Sequence, residues 1–312
     1  MSTMTRRSLL LAGAAAGAGA ATAGLVAPGT AHAARTKNLL LAGQFGNLSL
    51  VTPGGALLMY YHNNWQWGSG SWLGPFHRGD GFQRFSLLAS TGINHTYDNL
   101  YLAVDSSGVY GYYWSYLANN GAGAWQNGGA PVELAPRSWT GWQSLKFLVS
   151  GGYDDGIDRP DGTEPGSIFY TVDTQGRLYW HRYVGVPGVN GHWALNSGRQ
   201  IGIGWNGFVY VTAEPEGTVW GVDADGNLRW YRYRHARRGD GDTWEAGAGT
   251  VVGTGWRGGT YGFQTVQSGG QGRMYMVDRD GDLRWNYDAW YRYEYPSWYY
   301  QTDPPKIGTG WM

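Results

Sequence analysis

Thr218–Tyr233 reads TVWGVDADGNLRWYRY, and its pattern decides the architecture. Asp225 and Gly226 form a turn pair in which glycine adopts φ > 0 without steric cost. The turn is flanked by Val, Trp and Tyr, residues that favour extended chain. Downstream come Trp244 in DTWEAG and the run VVGTGW ending at Trp256. The unit is a β-hairpin followed by an outer strand that closes on an aromatic residue.

The unit recurs with turn glycines Gly55, Gly108, Gly176, Gly226 and Gly281, each preceded four positions earlier by Val51, Val104, Val172, Val222 or Val277. Two residues after each glycine stand Leu57, Tyr110, Leu178, Leu228 and Leu283, and two further on Met59, Tyr112, Trp180, Trp230 and Trp285. The outer tryptophans are Trp72, Trp125, Trp193, Trp244 and Trp298, and the closing aromatics Phe82, Trp142, Trp205, Trp256 and Trp311. A repeat of roughly 50 to 60 residues is the signature of a propeller or stacked array. Five whole units without atypical ends suit a closed ring. The expected fold is therefore all-β: a five-bladed β-propeller with about four antiparallel strands per blade. The expected blades are 34–82, 83–142, 143–205, 206–256 and 257–312, within one domain. Third-strand residues such as Trp180 and Trp230 are expected in the core, where bulk matters more than indole chemistry.

The first 33 residues read as an address. Arg6 and Arg7 precede an Ala/Gly-rich apolar run and Ala31-His32-Ala33, the pattern of a cleaved twin-arginine export signal. Its removal takes two basic residues, leaving 21 against 23 acidic ones, a net charge of about −2. That balance offers no attraction for nucleic acid. The chain has no cysteine, hence no disulfide and no thiolate metal site. No later stretch has the 18 or so apolar residues of a membrane-spanning helix. The expectation is a secreted monomer.

Several motifs mimic chemistry. Gly202, Gly204 and Gly207 have the GxGxxG spacing, as do Gly253, Gly255 and Gly258, but neither set opens a helix. VDADGN and VDRDGD contain calcium-type carboxylates, yet lack the distal Glu of a twelve-residue loop and read as hairpin turns. The insertion GYDDGIDRPDGTEPG, residues 152–166, carries Asp154, Asp155, Asp158, Asp161 and Glu164. A glycosidase needs two such carboxylates; a stretch so rich in Gly, Pro and charge reads instead as solvated loop. No metal, cofactor or catalytic residue is expected.

The hairpins, the outer tryptophans and the closing IGxGW-like strings, followed in one unit by Asn206-Gly207-Phe208, resemble the tachylectin-type five-bladed propeller lectins. The resemblance covers most of residues 38–312 and is best in the last three units. It implies binding of N-acetylated amino sugars, such as N-acetylglucosamine or N-acetylgalactosamine, between blades, with glycans, including chitin or peptidoglycan, as partners. The chain departs from the family pattern before the outer tryptophan, where Ser71, Ala124, His192, Thr243 or Ser297 replaces Asn.

Sugars stack their C–H faces on exposed rings while polar side chains meet their hydroxyls. The candidate sugar-binding residues are therefore Trp125, Trp142, Gln143, Trp193, Trp205, Asn206, Trp244, Trp256, Arg257, Trp298 and Trp311. Two other functions stay open: a carbohydrate-active enzyme using the acidic loop 152–166, and a structural or protein-binding propeller.

Overall fold

The computed structural model describes residues 36–92, 98–116, 118, 123–155, 162–300 and 302–312. The expected export signal, and Asp158 and Asp161 of the insertion, lie outside the described residues.

The chain is a five-bladed β-propeller. Blade 1 comprises β1 (Leu39–Ala42), β2 (Asn47–Val51), β3 (Leu57–His62) and β4 (Trp72–Gly79). Blade 2 comprises β5 (Leu87–Ser90), β6 (Asp98–Val104), β7 (Gly108–Ser115), β8 (Ala124–Trp125) and β9 (Val132–Pro136). Blade 3 comprises β10 (Leu145–Asp154), β11 (Gly166–Asp173), β12 (Leu178–Val184), β13 (His192–Trp193) and β14 (Arg199–Gly202). Blade 4 comprises β15 (Tyr210–Ala213), β16 (Thr218–Val222), β17 (Leu228–Arg232) and β18 (Thr250–Gly253). Blade 5 comprises β19 (Thr265–Gly270), β20 (Arg273–Val277), β21 (Leu283–Tyr287) and β22 (Lys306–Gly308). In blades 2 and 3 the outer strand is split, so that β8 and β9 both pair with β7, and β13 and β14 both pair with β12.

The inner strands β1, β5, β10, β15 and β19 touch their neighbours in cyclic order, and β1 meets β19 to close the ring. Each sheet is built from one repeat, so no strand is exchanged across the seam between blades 5 and 1. Gln44, just beyond β1, pairs its backbone with Gly92 of blade 2 and accepts the Tyr153 N–H of blade 3 at 2.8 Å.

The turn carboxylates are structural. Asp223 Oδ1 accepts the backbone N–H groups of Asp225 at 3.1 Å and Asn227 at 2.9 Å. Asp105, Asp173 and Asp278 cap their own turns in the same way, and Thr52 Oγ1 accepts the Ala56 N–H in blade 1. Short polar side chains that bond the backbone two or more residues on stabilise such turns.

The third strand supplies the core. Trp180, Trp230 and Trp285 are fully buried, each worth on the order of 4 to 6 kcal/mol of apolar burial before entropy. Trp180 donates its Nε1–H to the Ala236 carbonyl at 2.7 Å, and Trp230 to that of Tyr291 at 2.8 Å. Both bonds cross to the loop of the next blade.

Blade 2 differs from the glycine-aligned reading. Val104 pairs with Val109, whereas Val172 pairs with Leu178. Its hairpin is one residue shorter, so Val109 takes the place assigned to Tyr110, and Gly111 the place assigned to Tyr112. Bulk is not supplied there by the strand itself. A Cβ on Gly111 would lie 2.8 Å from Leu134 and 3.0 Å from Pro187; those residues occupy the space.

The acidic insertion is also shorter than expected. β10 runs through residue 154 and β11 starts at 166. Asp154 is no solvated loop residue: it is buried and its Oδ2 is 3.1 Å from Arg182 Nη1 and 3.0 Å from Arg237 Nε.

Candidate functional site

The outer tryptophans stand next to the end of the third strand. Trp72 pairs with His62, Trp125 with Trp114, Trp193 with Tyr183, Trp244 with Tyr233 and Trp298 with Asp288. All five are half-buried. Each turns its indole N–H to a backbone carbonyl on the outer strand of the preceding blade. Trp72 donates to Ile307, Trp125 to Arg78, Trp193 to Leu134, Trp244 to Ile201 and Trp298 to Val252, over 2.5 to 2.9 Å.

Against each outer ring packs the closing aromatic of that preceding blade. Ring centroids are 5.3 Å apart for Trp311 and Trp72, 5.4 Å for Trp142 and Trp193, 5.9 Å for Trp205 and Trp244, and 5.3 Å for Trp256 and Trp298. Between blades 1 and 2 the chain runs from Phe82 through Tyr112 to Trp125. The closing rings are buried, with Trp142 2% and Trp311 7% exposed. A ring so covered offers no open face for a sugar; its work is to back the outer ring.

Histidines serve this packing. His181 lies 4.3 Å from the Trp142 ring and 2.8 Å from Thr171 Oγ1, and burial lowers its pKa to about 3. His62 stacks on Trp72 at 4.6 Å, and burial lowers its pKa to about 4. Both are neutral near pH 7.

Between blades 3 and 4 the periphery opens into a cleft of about 230 Å³. Thr163, Glu164, Arg182 and Asn196 line it from blade 3, and Arg237, Arg238 and Asp240 from blade 4. The walls are held rigidly. Arg182 donates to the carbonyls of Glu164 and Arg237, and Asn196 Nδ2 to that of Arg238 at 2.8 Å. Burial lowers the pKa of Arg182, and the charge of Asp154 opposes that shift. The arrangement repeats between blades 4 and 5, where Arg232 donates to the carbonyls of Glu216 and Arg292. It can hold and orient a small polar ligand.

Residues 171–312 match the model of the Tachylectin family. Over this segment the chain is similar to the Tachylectin family. That likeness points to a non-enzymatic lectin. No curated protein matches the sequence. Among solved structures, SapL1 lectin in complex with α-methyl fucoside is similar at 14% identity, over 87% of this chain and 82% of that one, with a TM-score of 0.45. A mutant of AofleA from Arthrobotrys oligospora is similar at 12% identity, over 88% and 73%, with a TM-score of 0.44. A mutant Aleuria aurantia lectin in complex with α-methyl-L-fucoside follows at 14% identity, over 87% and 77%, with a TM-score of 0.39.

The sequence-derived candidates fall into three groups. Trp125, Trp193, Trp244 and Trp298 are partly exposed, whereas Trp142, Trp205, Trp256 and Trp311 are interior. Gln143, Asn206 and Arg257 are exposed beside the closing rings. Gln143 Nε2 donates to the Ser138 carbonyl at 2.6 Å, and the Asn206 carbonyl accepts from Lys146 Nζ at 2.7 Å.

The sequence reading missed the loops that follow the third strands of the blades. Their tight turns superimpose in hydrogen bonding: Trp67 N donates to Asn64 O, Val189 to Val186, Arg238 to His235 and Tyr293 to Trp290. The donor residue at each apex is exposed: Trp67 70%, Val189 67% and Tyr293 49%, with Arg238 likewise open. Their identities do not repeat, so residue identity alone cannot align them.

Proposed function

We propose that this chain is a non-catalytic carbohydrate-binding propeller that receives N-acetylated amino sugars, such as N-acetylglucosamine or N-acetylgalactosamine, between its blades. One observation carries the reading: at the blade interfaces a buried closing ring backs a partly exposed outer tryptophan, and between blades 3 and 4 a cleft of about 230 Å³ is bordered by Asn196, Arg238 and Asp240. That is the combination a sugar needs, an apolar face beside fixed donors and acceptors. The Tachylectin match supports it.

The sugar faces fall to Trp125, Trp193, Trp244 and Trp298, with Trp142, Trp205, Trp256 and Trp311 behind them and Gln143, Asn206 and Arg257 at the rim. Repeated weak sites on one rigid ring gain avidity on a glycan surface such as chitin or peptidoglycan. Asp154 is engaged by Arg182 and Arg237, which removes it from the acid–base role that the insertion would have to supply. Export through the leader at 1–33, secretion, a single unit spanning 34–312 and a monomeric state complete the proposal.

Titration calorimetry of residues 34–312 with N-acetylglucosamine, N-acetylgalactosamine and peptidoglycan fragments tests it. Binding that Asn196→Ala weakens supports the reading; no affinity for any amino sugar refutes it.

A further inference from the structure

Blade 5 carries a surface that the interblade sites do not account for. In its loop 289–300, Trp290 is 52% exposed, Tyr293 49%, Tyr295 50% and Tyr299 62%. Three of these rings are ordered relative to one another. Tyr293 and Tyr295 stack at 5.4 Å with their planes 8° apart, and Trp290 meets Tyr295 edge-on at 5.4 Å.

The backbone beneath them is pinned. Asp288 Oδ1 accepts the N–H groups of Trp290 at 2.9 Å and Ser297 at 2.8 Å, so one buried carboxylate holds both ends of the loop. Tyr293 N donates to the Trp290 carbonyl at 2.7 Å. Arg292 Nη2 reaches Glu216 Oε1 of blade 4 at 2.6 Å. A ligand meeting these rings therefore loses little affinity to ordering them.

We propose that this loop is a platform for an extended neutral glycan chain, which runs from the interface of blades 4 and 5 across Trp290, Tyr293, Tyr295 and Tyr299. The inference rests on the sugar-binding reading and adds to it a second contact surface. Three observations select a glycan. The run WYRYEYPSWYY contains no Leu, Ile, Val or Met, unlike the Leu-bearing apolar faces that enter a bilayer. The exposed tyrosine rings join an apolar face to a hydroxyl, the pairing that a pyranose presents in complement. The one cation of the run, Arg292, is ion-paired with Glu216, which leaves a neutral chain better matched than a polyanion. The place also fits. Arg232 bonds the Arg292 carbonyl as Arg182 bonds that of Arg237, so Tyr293 and Tyr295 stand where Arg238 and Asp240 wall the cleft of the preceding interface.

Calorimetry with N,N′-diacetylchitobiose, chitohexaose and cellohexaose tests the platform. The wild-type protein should bind chitohexaose roughly tenfold more tightly than the disaccharide, beyond the statistical gain of chain length. A Trp290→Ala/Tyr293→Ala/Tyr295→Ala variant with an unchanged melting curve should lose that preference and keep its disaccharide affinity. Tyr293→Phe/Tyr295→Phe should retain it, and Tyr299→Ala should weaken it independently of the triple variant. A chain-length preference that survives the triple substitution overturns the platform, as does disaccharide binding with no preference in the wild type. Vesicle binding or self-association that the triple variant abolishes, without any chain-length effect, also overturns it. Binding of cellohexaose but of neither chitin fragment overturns the amino-sugar reading and keeps the platform. No binding to any of the three overturns both.

Discussion

Trp72 donates its indole N–H to the carbonyl of Ile307 across 2.7 Å, joining residues 235 positions apart. Its ring packs at the same time on Trp311. With no strand exchanged between blades 5 and 1, these contacts and the inner pair β1 and β19 hold the seam. Removing residues 306–312 takes away β22 and Trp311 together. Cooperative thermal unfolding should then be lost, and calorimetry that showed one unchanged transition would refute the role of the seam. Trp72→Phe keeps most of the packing and should cost about 1 to 2 kcal/mol through the orphaned carbonyl.

Gly239 and Gly204 separate crowding from backbone strain. Both have positive φ, 60° and 83° respectively, but a Cβ on Gly239 would come within 2.2 Å of the Trp180 ring, while one on Gly204 meets nothing within 4 Å. Gly204→Ala should cost about 1 kcal/mol, the conformational cost alone. Gly239→Ala must also displace a buried indole and should cost about 2 kcal/mol more. Urea unfolding of the two variants checks the order; equal midpoints would contradict it.

Asp154 neutralises a buried guanidinium. The Arg182 side chain is 1% exposed and that of Asp154 7%. Asp154→Asn leaves the arginine without its counter-charge and should destabilise the protein by about 3 kcal/mol. A loss below about 1 kcal/mol in urea unfolding would show that Arg182 is held by its carbonyl partners instead.

The buried histidine and glutamate give opposite pH dependences. His181 has a native pKa of about 3 against about 6.5 when unfolded. The unfolded chain binds the extra proton in that window, so stability falls as pH drops from about 6.5 towards 3. His181→Tyr installs the residue that the blade 2 and blade 4 equivalents, Tyr112 and Tyr231, already hold. It should flatten the acid limb of melting temperature against pH. An unchanged slope would exclude His181 as its source.

Glu214 has the reverse sign. Burial raises its pKa to about 8 from 4.5, although it accepts the Gly272 N–H at 2.8 Å and the Ser268 hydroxyl at 2.8 Å. The native state holds the proton longer, so its contribution is complete below about pH 4.5 and is lost as pH rises through 8. Glu214→Gln should reduce the decline in melting temperature between pH 5 and pH 8. A decline as steep as in the wild type would refute this.

The sequence by itself determined the ring and the place of its turns. Five glycine-centred hairpins with outer tryptophans 17 or 18 residues on specify five similar sheets, because local turn chemistry and alternation act within a single unit. The capping role of Asp223 and the core role of Trp230 follow from the same local rules. Blade 2 marks their limit. One residue lost from a turn moves every following side chain by a position, and only the pairing of Val104 with Val109 shows that Gly111, and not Tyr112, faces blade 3. Tertiary structure alone decided which aromatics are interior. Trp205 and Trp244 look alike in sequence, yet one is enclosed and the other half open, since burial depends on the blade that packs against it. It also decided that Asp154 is an ion-paired strand residue, and that Trp67, Arg238 and Tyr293 share one position above the interfaces. Hydrogen bonding of their turns makes them equivalent, and that geometry leaves residue identity free to vary.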